Sequence, residues 1–417
     1  MMVRALALTL LAAAGPALAD DEDAAALALA DKAPTVAEHA RDWRVSMQAA
    51  ARESGQRSGN AADDAEFLAL DMHYDRTFAR NWRAVFADRL DLSWQRRLSN
   101  ENTVNTLKDA YLSWQPQPDR IADLGRINTR YGVASGYNPT DYFRAGAIRS
   151  IVSIDPASLR ENRLGSVMLR GQTLWSDGSL TGLYSPKLAD RPNDGAFDPD
   201  VGATNHKNRW LIAASQRLSD SFNPQWLFSG EQGRAPQLGL NLTTLLNDAT
   251  VAYFEWSGGR SPSLVSQALN RADDTAFRNR LASGLTYTTA SKLSLTLEYE
   301  FNGAGLDRDG WNALRQGSPP AYLQYRTFVQ TLQDLPTKQN AFLYVKWQDA
   351  FVIHFDLSAF ERFDVVDHSH LSWLEARYHW NHVDLAWQWQ LNSGDAGSQY
   401  GALPQRQIWQ ALITYFF

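Results

Sequence analysis

Charged side chains crowd one stretch of this 417-residue chain. Asp141, Arg144, Arg149, Arg160 and Glu161 fall between Gly132 and Asn162, and Arg126, Asn128 and Arg130 lead into that stretch at every second position. As a set they point to electrostatic sorting rather than to bond making. Fixed charges around a narrow, low-dielectric passage strengthen the local field and select solutes by charge and orientation. The stretch carries Asn138-Pro139 and Asp155-Pro156, pairs that favour turns, on either side of a small, partly apolar run from Ala145 to Ile154 that reads as a strand or hairpin. The alternative is a surface loop packed on its neighbours.

Other chemistry is poorly supported. Five of the eight histidines lie between His354 and His382, but His354 and His379 fall at different heights on neighbouring predicted strands. A metal site needs three or four ligands converging on one point, so no metal is expected. Asp367, His368 and Ser369 supply the residue types of a serine hydrolase, but side by side, whereas triads are assembled from separated segments. No catalytic residue and no cofactor is assigned. The chain has no cysteine, which rules out disulfides and thiolate sites. Its net charge of −6 is mild and gives no reason to invoke nucleic acid as a partner.

The elements that must position these charges read as strands. In Lys292–Phe301, Leu293, Leu295, Leu297, Tyr299 and Phe301 alternate with Lys292, Ser294, Thr296, Glu298 and Glu300. A period of two puts the two sets on opposite faces. The same alternation runs through 383–392, 351–358 and 82–95, where Asp88 interrupts the apolar face. The apolar faces are rich in Trp and Tyr, unlike the aliphatic core of a β-sandwich, and no fixed-period repeat suggests a β-helix. Short links alternate with long polar ones along the chain, the latter including 132–162, 187–207 and 302–339. Counting between links gives about 18 strands, with 16 as the alternative. An even count requires a first strand near 40–52, a segment that also reads as a periplasmic helix because Ala, Arg and Gln are good helix formers.

Both ends agree with a barrel that lies in a membrane. The last residues, Trp409 to Phe417, place Trp409, Ala411, Ile413, Tyr415 and Phe417 on one face and stop on an aromatic. This ending resembles the C-terminal signal of outer-membrane β-barrels, and the resemblance implies that the barrel-assembly machinery reads it. Residues 1–19 read as a secretory signal peptide: Arg4, an apolar run from Ala5 to Ala14, and Ala17-Leu18-Ala19 before the cut. A short acidic, Ala-rich leader is expected over 20–39 and a single barrel over 40–417. No later stretch is apolar enough for a membrane-spanning helix. The mean hydropathy of −0.40 fits a barrel as well as a soluble protein, since alternate strand residues face a polar lumen.

The fold class is therefore all-β, a transmembrane antiparallel up-and-down barrel of the Gram-negative outer membrane, in contact with its lipid and lipopolysaccharide. Strand parity adds Arg170, Arg278, Arg280, Lys346 and Arg377, together with Glu298 and Glu300, to the pore-lining candidates. Their mixed signs fit either a solute track or cross-strand pairing that stiffens the lumen. In architecture the chain resembles the general porins, whose third outer loop folds into the lumen. That resemblance implies the same role for 132–162. Barrels of the alginate-export type are similar in size and mixed lumen charge. These readings predict a porin-like channel for small hydrophilic solutes, a small molecule or an oligosaccharide. The alternative is a closed or narrow barrel acting in surface binding or polysaccharide export through its long outer loops.

Overall fold

In the computed structural model, residues 42–59, 63–95, 100–193, 195–219 and 221–417 are described. The expected signal peptide and leader, 1–19 and 20–39, lie outside them. Eighteen strands follow one another: β1 Trp43–Gln56, β2 Asp63–Ala79, β3 Trp82–Gln95, β4 Asn100–Gln117, β5 Arg120–Ile127, β6 Ser166–Trp175, β7 Gly178–Ser185, β8 Arg209–Gln216 and β9 Gln225–Glu231. The second half comprises β10 Gln237–Asn247, β11 Thr250–Ser261, β12 Ala276–Thr288, β13 Leu293–Asn302, β14 Gln339–Trp347, β15 Phe355–Asp364, β16 His370–His379, β17 Val383–Ser393 and β18 Gln405–Phe416. Each pairs antiparallel with its neighbours in sequence, and β1 pairs with β18 from Ser46↔Phe416 to Gln56↔Gln405. That last pairing closes the sheet. A closed sheet leaves no edge with unpaired N–H and C=O groups, which makes it the sheet form stable in lipid.

The wall is inverted relative to a soluble protein. Along β13, Leu295, Leu297 and Tyr299 are exposed while Thr296, Glu298, Glu300 and Asn302 are buried. Leu124, Leu169 and Leu238 are likewise more than half exposed on other strands. Aromatic pairs such as Trp82–Trp114 and Trp387–Trp409, with ring centroids 6.0 and 5.0 Å apart, stand on this outer face. Large exposed apolar faces are costly in water. In a bilayer they face their own solvent, and Trp and Tyr collect at its interfaces.

The segment with two sequence readings is a strand: β1 pairs with β2 along Trp43–Ser54. The interruption at Asp88 is a β-bulge, where β4 carries one extra residue, Lys108, opposite the Ala87–Asp88 step. Three stretches differ from the sequence reading. The run from Ala145 to Ile154, expected as a strand or hairpin, forms neither, since its backbone is irregular and bonds to the wall and to a helix at the barrel mouth instead of to itself. The alternation over 351–358 is only half strand: β15 begins at Phe355, and Phe351, Val352 and Ile353 lie exposed in the preceding turn. Asp349, Phe351 and His354 adopt positive φ there, so His354 sits in that turn and not on the inner face. The long link 302–339 contains two helices, Arg308–Gln316 and Pro319–Leu332, which pack Trp311, Leu314, Tyr325 and Val329 with Leu264 and Ala268 into a small core over the barrel mouth. Trp311 and Tyr325 are thus fully buried packing residues. Among the described residues no helix is long and apolar enough to cross a membrane.

Candidate functional site

β5 and β6 are joined by residues 128–165, which carry no strand and one short helix, Pro156–Glu161. Asp155 caps that helix by accepting from the Ser158 amide at 2.9 Å. An irregular segment must find partners for its backbone groups elsewhere, and here they come from the inner face of the wall. Asn128 N–H donates to Asp109 of β4 (2.8 Å), Thr140 Oγ1 to Asn241 of β10 (2.8 Å) and Ser135 N–H to Glu298 of β13 (2.6 Å). The Val152 carbonyl accepts from Arg52 of β1 (2.7 Å) and Gln410 of β18 (2.9 Å), and Ser153 Oγ from Gln388 of β17 (2.9 Å). These strands lie on opposite sides of the closed sheet, so the segment crosses its interior.

Midway it meets the end of the second mouth helix. Gly146 N–H donates to the Thr331 carbonyl (3.0 Å) and Gln333 Nε2 to the Arg144 carbonyl (2.6 Å). Asp334 is the hub of this seam. It accepts from Tyr137 Oη at 2.8 Å and Asn302 Nδ2 at 3.0 Å, and it lies 3.3 Å from Arg144 and 3.5 Å from Arg280. Burial, with the Asp334 charge beside it, pushes the Tyr137 phenol well above its usual range, so it remains the donor in this bond.

Two cavities adjoin the seam and share Asp141, Arg144 and Asp334. One, of about 700 Å³, is also lined by Arg209, Arg234, Arg260, Arg271 and Arg280, against Glu231 and Asp273. The other, of about 690 Å³, is lined by Arg149, Arg160, Arg163, Arg326 and Arg362, with no carboxylate beyond the two shared ones. Guanidinium groups therefore outnumber carboxylates six to four in the first and six to two in the second. Among the described residues, several of these groups spend their hydrogen bonds on backbone carbonyls rather than on a carboxylate. Arg160 donates to the Gly132 and Ala134 carbonyls, and Arg326 to those of Ser398 and Gln399. Arg362 donates to the Gly136 carbonyl and lies over the Phe342 ring at 5.1 Å. Such groups keep the capacity to take a planar anion in a bidentate fork.

The sequence candidates fall into three sets. Asp141, Arg144, Arg149, Arg160 and Arg280 line the cavities. Asp141 pairs with Arg163, and Arg149 lies 3.5 Å from Asp200. A second set is tied into the wall. Arg170 pairs with Asp123 (2.8 Å), Arg278 with Asp274 (3.1 Å) and Arg377 with Glu375 (2.9 Å), while Lys346 stands half-buried opposite Ser294 and Ser358. Glu298 and Glu300 belong here too, both fully buried. The third set is the stripe of Arg126, Asn128 and Arg130, which is divided because β5 ends at Ile127. Arg126 has the parity of the outward Leu124 and is buried against Gly165. Asn128 accepts from Arg163, and Arg130 is exposed, as is Glu161.

Sequence reasoning missed Arg163, Arg209, Arg326, Arg362 and Asp334, most of which stand in or beside links read as polar connections. It also missed Glu255. The signal there was local, since Phe254 and Trp256 point outward and leave Glu255 and Ser257 inward.

No family model matches the chain, and no curated protein does. Solved structures match its fold. Pseudomonas aeruginosa OccK5 (OpdH) superposes with a TM-score of 0.55 at 9% identity, over 90% of this chain and 98% of that one. Pseudomonas aeruginosa OpdQ gives 0.56 at 9% identity, over 90% and 99%. Pseudomonas aeruginosa OccK2 (OpdF), solved in complex with glucuronate, gives 0.53 at 10% identity, over 90% and 98%. The chain is similar to these outer-membrane channels in fold, a closed 18-stranded antiparallel barrel spanned almost end to end.

Proposed function

We propose that this protein is an outer-membrane channel for small anionic solutes, in particular carboxylates such as sugar acids. The observation that carries this reading is the guanidinium excess in the two cavities beside the Asp334 seam. A solute crossing there exchanges its hydration shell for Arg160, Arg326 and Arg362, whose fork geometry suits a carboxylate. Contacts spread over two cavities keep each one weak enough for release, as conduction requires. The segment 128–165 acts as the constriction, and the Arg144–Asp334–Arg280 group stands at its edge. The likeness to a channel solved with glucuronate supports the substrate class. In the same reading residues 1–19 direct export and are cleaved, and the strand ending at Phe417 is the handle for barrel assembly.

The test is single-channel recording of the refolded mature protein in a planar bilayer, with the reversal potential under a KCl gradient and flux of glucuronate against glucose in vesicles. Discrete steps, a reversal potential showing chloride preference and faster glucuronate flux are expected. A folded, heat-modifiable barrel without steps would move function to the outer loops. Cation preference would reject the anion reading.

A further inference from the structure

Over residues 132–136 the crossing segment is supported by charged side chains rather than by a neighbouring strand. Four consecutive amides face one patch of wall. Those of Val133 and Ala134 donate to Glu255 Oε1, the second at 2.7 Å. Those of Ser135 and Gly136 donate to Glu298 Oε1 and Oε2 at 2.6 and 2.8 Å. The carbonyls are served by cations: Arg160 donates to Gly132 and Ala134, and Arg362 to Gly136. Such charge-assisted bonds are about twice as strong as neutral ones, and both carboxylates are buried, at 0% and 1% exposure.

The wall is shaped to receive this strap. Between β11 and β13 the inward positions of β12 are small: Ala282 pairs with Glu255 and Glu300, and Gly284 with Tyr253 and Glu298. Ala134 and Val133 pack on Tyr253 and Ala282 in this shallow floor. Tyr253 Oη also donates to Glu298 Oε1 at 2.5 Å, which fixes that carboxylate from the side. The strap lies flush. A Cβ on Gly132, which has φ +78, would meet Glu255 Oε2 at 2.5 Å, and one on Gly136 would meet Glu300 Oε1 at 2.0 Å. The Glu300 carboxylate touches the strap but accepts none of its amides.

We infer that Glu255 and Glu298 are positioning residues for selectivity, holding residues 133–136 on the β11–β13 wall and thereby setting the aperture and the placement of Arg160 and Arg362. This rests on the channel reading above. Four amides shared between two carboxylates form one unit, so removing Glu298 frees half of the strap and turns it toward the lumen. The aperture then widens, and Arg362 loses the Gly136 carbonyl that orients it.

The experiment pairs hydrogen exchange of the 133–136 amides with single-channel recording, on the wild type, Glu298→Ala, the milder Glu298→Gln and the control Glu300→Gln, each first shown to run as a folded barrel. Glu298→Ala should speed exchange at Ser135 and Gly136 by about tenfold or more, as loss of charged acceptors implies. It should also raise conductance and shift the reversal potential. Glu298→Gln, which keeps one acceptor oxygen, should recover part of each, and Glu300→Gln should leave the exchange unchanged. Unchanged amide exchange in Glu298→Ala overturns the inference whatever the current does. Faster exchange with wild-type conductance and reversal potential overturns the link to selectivity. A wild type that never conducts defeats the channel reading itself, and it is distinguishable because the exchange measurement needs no current.

Discussion

The barrel wall and the helical cap at its mouth bury opposite kinds of side chain. On β13 the leucines face out and the glutamates face in. In the cap, Trp311, Leu314, Tyr325 and Val329 turn inward around Leu264, with Trp311 edge-on to Tyr322 at 5.8 Å. Leu297 of the wall is 59% exposed and Leu323 of the cap 62% exposed, yet the two exposures mean different things. Leu297 stands on the face that a bilayer covers, and Leu323 stands on the outer side of a cap helix, in water. One chain therefore obeys two hydrophobic rules, and the local solvent decides which.

The largest effect that would sharpen this comparison comes from the cap. Trp311→Ala empties a conventional core and should cost that unit about 3–5 kcal/mol. Limited proteolysis should then cut within 303–338 while heat-modifiability of the barrel is kept. Loss of the barrel together with the cap would show that the two regions are not separate folding problems. Next comes Leu297→Arg, expected to destabilise the barrel by about 2–4 kcal/mol, less if the site lies near an interface, read from denaturant unfolding in lipid vesicles. The smallest effect belongs to Leu323→Arg, the same change at matched exposure, which should stay within about 0.5 kcal/mol. Equal costs at Leu297 and Leu323 would break the comparison, because they would place both side chains in one solvent.

Much of the wall was legible in the sequence, and its failures are instructive. β13 and β17 follow the alternation residue by residue because each has a lipid face and a polar face. The start of β15 was placed too early because Phe351 and Ile353 extend the apolar alternation into a turn. Interfacial aromatics satisfy the same pattern whether the backbone is strand or turn. The helices at 308–332 were hidden by length and polarity, although local signals were present. Asp307 accepts from the Gly310 amide as an N-cap, and Pro319 and Pro320 open the second helix, where a missing N–H costs nothing. Among site residues, parity brought Arg280 and Glu298 to the inner face. It could not separate Arg280, at the seam, from Arg278, which is bound to Asp274 and the Ser261 carbonyl.

By itself the sequence determined the architecture. A period of two, with leucine and aromatic residues on one face and charges on the other, admits a closed sheet in lipid and little else, because every strand must repeat the same solvent partition. Only the tertiary structure decided where the interior is crossed and what lines the crossing. Tyr137 meets Asp334 across 197 residues, and Ser135 meets Glu298 across 163. No local pattern encodes such pairs: two irregular segments and an inner wall need only be polar in sequence, and closure of the barrel then selects which of their groups come within hydrogen-bonding reach.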